Sequence, residues 1–180
     1  MTFKEIILVI LGGVLANNLV FEKLMGVEPV LNNGKCVRTA LSIGCGTAAV
    51  MLVASALVYP IQSLLNSAGA GFLVIPAAAA VILLLTYLLK LLVKKPMGVW
   101  FPLIALNSAV LGLCTGNADA GFGVAVLTAF GAAVGFVAAL VLYAGVRGRI
   151  DEKAVPESFR GLPISLLIAF IISLALVAYK

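Results

Sequence analysis

The sequence predicts an all-α integral membrane protein: six transmembrane helices in two inverted three-helix repeats, with helices 1 and 4 broken at the midplane. Three observations lead there. Apolar residues make up 63% of the 180 residues and charged residues only 11%, against roughly 45–50% and about 25% in soluble domains. The apolar residues gather into six runs, most of them near the roughly 20 residues that span a bilayer. Two of those runs, the first and the fourth, carry amides at corresponding places.

The first run extends from near Lys4 to Leu24 and contains Asn17 and Asn18. It passes straight into polar residues with no small-residue cleavage site, so it reads as a span and not as a leader. The second runs from about Val37 to Ile61 and is expected to end near Tyr59-Pro60, because proline disrupts a helix interior. The third is about Gly71 to Val93. The fourth, about Met97 to Cys114, is short and holds Pro102 and Asn107. The fifth is about Gly121 to Val146 and the sixth about Leu162 to Tyr179. One membrane domain, 1–180, results, with repeats of about 1–95 and 96–180.

Charge sets the orientation. Lys35 and Arg38 follow the first run, Lys90, Lys94 and Lys95 the third, and Arg147, Arg149, Lys153 and Arg160 the fifth. All lie on one side, and the opposite side has only Lys4 and Lys180. The positive-inside rule then puts both termini outside the cytoplasm of a bacterial or archaeal plasma (inner) membrane. The formal net charge of +5 is thereby a topology signal and not a nucleic-acid patch.

A helix broken in hydrocarbon exposes backbone groups that water cannot reach. Asn17, Asn18, Asn107 and Ser108 can satisfy them, and short polar-interrupted segments in matching places of two inverted halves point to a midplane site. The plainer reading is that these residues hold helices together, as small polar residues often do. Gly131 and Gly135 form a GxxxG face in the fifth run, suited to close helix packing. No run carries an acidic residue in its middle, which argues against a stand-alone proton or sodium transporter. Histidine is absent, which excludes imidazole-held haem or zinc, and Cys36, Cys45 and Cys114 are too scattered for a local metal motif. Catalytic residues are not identified.

Three stretches, "NNLVFEKLMGVEPVL", "FPLIALNSAVLGL" and "VPESFRGLPISLLIAFIISLAL", together resemble the six-helix membrane subunits of the Rnf and Nqr respiratory complexes. The similarity is strongest to the A-type Rnf subunit, the counterpart of the E-type subunit of the sodium-pumping NADH:quinone reductase. The resemblance implies a subunit of an ion-translocating oxidoreductase complex that couples electron transfer to ion translocation. It implies a sister six-helix subunit of opposite topology as partner, with other Rnf/Nqr-type subunits around the pair. It also implies a 2Fe–2S cluster between the two sisters, held by two cysteines from each.

This chain departs from that pattern at the ligands. The family's first cysteine falls in the turn that here reads Gly26-Val27-Glu28-Pro29, and its second follows the fourth-helix asparagine, where Ser108 stands. Glu28 and Ser108 thus occupy the cluster-cysteine positions, and the chain is expected to hold no cofactor of its own. Carboxylate and hydroxyl are hard ligands, poorly suited to iron–sulfur sites. Glu28 is read as a loop residue at headgroup level, paired with Lys23, Lys35 or Arg38. Three functions stay open: the family's role in the complex, a redox-silent scaffold or assembly paralogue, and a small inverted-repeat transporter. The partner is a sister subunit or a second copy of this chain, within the lipid bilayer.

Overall fold

A computed structural model describes residues 12, 18–23, 25–32, 36–92, 100–116, 121–151 and 153–177. Among these there are helices and turns and no strand. Seven α-helices follow one another: α1 Val27–Asn32, α2 Val37–Ser67, α3 Val74–Leu92, α4 Trp100–Ala105, α5 Ser108–Gly116, α6 Phe122–Gly148 and α7 Leu162–Val177. Short 3₁₀ turns, Gly71–Leu73 and Glu157–Phe159, lead into α3 and α7. The predicted Lys4–Leu24 helix lies largely outside the described residues, and so does Asn17.

Proline position explains several helix starts. Pro29, Pro76, Pro102 and Pro163 each lie in the first turn of their helix, where the missing N–H would have had no partner anyway. Pro60 is the exception. It sits inside α2, and the helix does not end there but runs on to Ser67. The expected stop near Tyr59-Pro60 is therefore corrected. Val58 and Gln62 are buried on either side of the proline, and Gln62 Nε2 reaches the Thr115 carbonyl at 3.5 Å. Packing on both sides carries the helix past a residue that local rules would make its terminus.

Three described helices are long and apolar enough to cross a membrane: Val37–Ser67, Gly71–Leu92 and Phe122–Gly148. The protein is thus a helical membrane-embedded chain. At about 1.5 Å per residue, α2 is roughly 46 Å long, more than the ~30 Å hydrocarbon core.

The bundle is organised around α2 and α6, which pack most extensively on each other. Alanines and glycines on α6, including Gly131 and Gly135, face the interior. A Cβ at Gly44 of α2 would already come within 3.3 Å of Leu140 Cδ1, so small residues bring these two helices together. α5 rests against α2 and α3, and α7 against α6. Buried hydroxyls return their hydrogen bonds to the preceding turn, Thr47 to the Ile43 carbonyl and Thr86 to that of Ile82, which leaves them satisfied without water. The outer surface is apolar, with Phe72, Leu92 and Leu106 among its most exposed side chains.

Candidate functional site: a polar clasp at a helix break

The fourth apolar stretch is two helices, not one. α4 ends at Ala105 and α5 begins at Ser108, with Leu106 and Asn107 outside helix. Asn107 caps the restart. Its Oδ1 accepts the Ala109 N–H at 2.9 Å, and its carbonyl accepts those of Val110 at 3.1 Å and Leu111 at 3.3 Å. Asparagine is among the preferred N-caps for this reason.

Asn18 makes similar hydrogen bonds earlier in the chain, where they close a turn and not a helix. Its Oδ1 accepts the Val20 N–H at 3.0 Å and that of Phe21 at 3.3 Å. Its Nδ2 donates to the Gly135 carbonyl on α6 at 3.2 Å. Both asparagines are buried, and in each the side-chain oxygen serves the N–H two residues on.

The turn after Asn18 comes back against the break. Ser108 Oγ accepts the Gly26 N–H at 2.9 Å. Gly26 has φ +71°, and a Cβ there would lie 2.7 Å from Asn107 Oδ1, 2.8 Å from Phe136 Cε2 and 2.9 Å from Ala109 Cβ. Only glycine provides both the left-handed backbone and the room. Next to it, Met25 Sδ would lie 2.6 Å from a Cβ at Gly112. Further along, Ser173 Oγ on α7 donates to the Phe21 carbonyl at 2.6 Å. Asn18, Phe21 and Gly26 thus tie this part of the chain to the middle of α6, to α7 and to the broken helix.

Glu28 lies in the first turn of α1, two residues from Gly26, and is exposed. It is in a helix and not in the loop expected. Ser108 stands near the middle of the stretch from Trp100 to Gly116, and the Gly26 bond holds the turn at that level. Among the described residues the ion pair is Arg160–Glu157, at 3.8 Å on the surface; Lys23 and Arg38 form none with Glu28, and Lys35 lies outside the described residues.

The clasp therefore joins Gly26 to Asn107 and Ser108 at the break, while Asn18 ties the preceding turn to the Gly135 carbonyl on α6. Gly26 and Phe136 were not singled out by sequence reasoning. The signal for Gly26 was its place opening the Gly-Val-Glu-Pro turn; nothing in the sequence marked Phe136. Cys114 is buried in α5, whereas Cys36 and Cys45 are exposed towards the N-terminal end of α2. The Cys36 thiol is drawn below its ordinary value, chiefly by the Thr39 side chain, then by the backbone of Thr39 and Arg38.

The donor set does not suit an iron–sulfur cluster. Positions 28 and 108 offer a carboxylate and a hydroxyl, and the hydroxyl already receives a backbone N–H. Thiolates are the ligands such clusters take. Among the described residues no three His, Cys, Asp or Glu side chains gather into a metal-binding group.

An apolar helical bundle with three helices long enough to cross a membrane, and beside them a capped helix break, defines a helical membrane protein. The family is more specific. The model of the Rnf-Nqr subunit membrane proteins matches residues 6–180, and the chain belongs to that family. It is 37% identical to the A-type subunit of an ion-translocating oxidoreductase complex from Syntrophotalea carbinolica, over 98% of this chain and 96% of that protein. It is 34% identical to the corresponding A-type subunit of the Na(+)-translocating ferredoxin:NAD(+) oxidoreductase complex of Acetobacterium woodii, over 97% and 96%. A third relative, again of the A type and from an Azoarcus species, is 37% identical over 98% and 96%.

Proposed function

We propose that this chain is the A-type membrane subunit of an ion-translocating oxidoreductase complex, and that it takes its place there without contributing ligands to a 2Fe–2S cluster. The observation that carries the first half is similarity along nearly the whole chain to the A-type subunits of such complexes. The second half rests on Glu28 and Ser108, where neither side chain is a thiol. Electron transfer in the complex then runs through other subunits, and this chain supplies membrane architecture at a place where soft ligands have given way to oxygen donors.

The architecture we infer is six spans in two inverted halves, about 1–95 and 96–180, with the interruptions of the first and fourth spans meeting near the bilayer midplane. The shared bonding of Asn18 and Asn107 supports it, because each side-chain oxygen accepts the N–H two residues on at a corresponding point of its half. The basic loops put both termini outside the cytoplasm. A sister six-helix subunit of opposite topology is the partner this arrangement suits.

Affinity purification of the tagged chain from its native membranes tests the subunit reading. Flavin-, NADH- and ferredoxin-type subunits are expected to co-purify in stoichiometric amounts with a ferredoxin- or NADH-linked oxidoreductase activity. A chain recovered alone, with the oxidoreductase intact elsewhere, would refute it.

A further inference from the structure

Between α6 and α7 the bundle carries a groove with a volume of about 450 Å³. Every side chain along it is apolar, from Leu142, Val146 and Ile150 on one side to Ile164, Leu167 and Ile171 on the other. Leu142, Val146, Leu167 and Ile171 are exposed, so the groove opens outwards, while Ile168 and Ile172 of the same lining are buried. From Ile164 to Leu176 it follows α7 for about 18 Å, at roughly 1.5 Å per residue. That is close to the hydrocarbon depth of one leaflet, about 15 Å, or half of the ~30 Å core. One end, at Ile150 and Ile164, borders the connection from α6 to α7. The other passes Ser173, which bonds the Phe21 carbonyl.

The dimensions select the occupant. Spread over that length, the volume gives a cross-section of about 25 Å². A helix with its side chains is at least ~10 Å across, or about 80 Å² in section. The groove is thus wide enough for one hydrocarbon chain and too narrow for a helix. Its walls offer no hydrogen-bonding side chain, which suits a lipid tail, as apolar as leucine itself. Charge at the Ile150 end then selects the headgroup. Arg147, Arg149, Lys153 and Arg160 stand there against Asp151, Glu152 and Glu157. Glu157 pairs with Arg160 at 3.8 Å, and Asp151 Oδ1 accepts the Lys153 N–H at 2.9 Å. Arg149 and Lys153 are exposed and, among the described residues, in no ion pair. Arg149 directly precedes Ile150 of the groove. Basic pockets between spans bind anionic lipid headgroups.

We propose that the groove between α6 and α7 holds one acyl chain of an anionic phospholipid, whose headgroup lies against Arg149 and Lys153. α7 rests on α6 far less extensively than α2 does, and the lipid completes a contact that the protein alone leaves thin. The site is separate from the helix break and does not depend on which subunits surround the chain.

The protein, purified from its membranes in a mild detergent, stripped of lipid and reloaded from an equal mixture of phosphatidylglycerol and phosphatidylcholine, tests this by native mass spectrometry. One phosphatidylglycerol per chain is expected to stay bound in preference to phosphatidylcholine. Arg149→Gln and Lys153→Gln should each lower that preference about fivefold. Leu167→Trp combined with Ile171→Trp fills the groove from its exposed wall and should lower retention of either lipid several-fold. Leu174→Trp, similarly exposed on α7 but outside the lining, should leave it unchanged. Unfolding followed by helix signal shows which variants fold, and phosphatidylglycerol should stabilise the unaltered chain more than the groove-filled one. No retained lipid, or retention undiminished in a folded groove-filled variant, overturns the proposal. So does equal retention of the two lipids, unmoved by Arg149→Gln and Lys153→Gln. Photoreactive p-benzoylphenylalanine in place of Ile171, used in native membranes, should link to lipid; a link to a membrane polypeptide instead would make the groove a protein contact and overturn the proposal too. If the groove-filled variant does not fold, the charge variants and the cross-link decide.

Discussion

Replacing Gly26 by alanine probes the clasp at its tightest point. The new methyl group would stand 2.7 Å from Asn107 Oδ1, 2.8 Å from Phe136 Cε2 and 2.9 Å from Ala109 Cβ. None of the three is the far end of a flexible chain: one is a capping amide, one a fully buried ring, one a helical Cβ. Overpacking of this kind costs typically 1–3 kcal/mol. The left-handed backbone at φ +71° adds roughly 1–2 kcal/mol for any residue with a Cβ. Together they give about 2–5 kcal/mol. Two controls separate the contributions. Gly69 has the same φ, +71°, with nothing within 4 Å of a Cβ, so Gly69→Ala carries the backbone cost alone. Gly112→Ala would press only on Met25 Sδ at 2.6 Å and Cε at 3.1 Å, a flexible thioether that can move away, so its cost is small. Unfolding in detergent, followed by helix signal against denaturant, ranks the three. The expected order of destabilisation is Gly26→Ala, then Gly69→Ala and Gly112→Ala. A Gly26→Ala protein no less stable than Gly69→Ala would show that the turn does not rest against the break.

Other outcomes follow from the same geometry. Ser108→Ala leaves the Gly26 N–H without its acceptor and is expected to destabilise by about 1–3 kcal/mol, whereas Ser108→Cys, a weaker acceptor, loses less; the same unfolding assay measures both. Asn18→Leu deprives the Val20 and Phe21 N–H groups and the Gly135 carbonyl of their partner; a loss of at least about 2 kcal/mol is expected, with Asn18→Asp intermediate because it keeps the acceptor. Cys36, exposed and held below its usual pKa by Thr39, should react with a charged, impermeant maleimide at lower pH than a free cysteine. It should do so only in inside-out vesicles if the basic loops are cytoplasmic, and labelling only in right-side-out vesicles would reverse the assigned topology.

Composition and charge patterning made the helical membrane class legible, because a bilayer constrains sequence more tightly than water does. The fourth-span interruption was legible too, since Asn107 beside Ser108 and after Pro102 leaves little reason for a continuous helix. The end of α2 was not. Pro60 is a local stop signal, and the packing of Val58 and Gln62 that overrides it is a tertiary fact. The surroundings of Glu28 were not legible either. Nothing in the sequence says that Gly26, two residues before it, donates its N–H to Ser108, and that hydrogen bond joins residues far apart along the chain. Gly26 was visible as a turn residue, but its three close neighbours come from α5, from α6 and from the break that precedes α5.

Whether oxygen donors at positions 28 and 108 have ended cluster binding is decided by iron and acid-labile sulfide, measured on this chain purified with its membrane partner, and by electron paramagnetic resonance after reduction. No 2Fe–2S cluster that depends on these two positions is expected, and iron content should be unchanged by Glu28→Ala or Ser108→Ala. A stoichiometric cluster whose signal disappears in either variant would contradict the assignment.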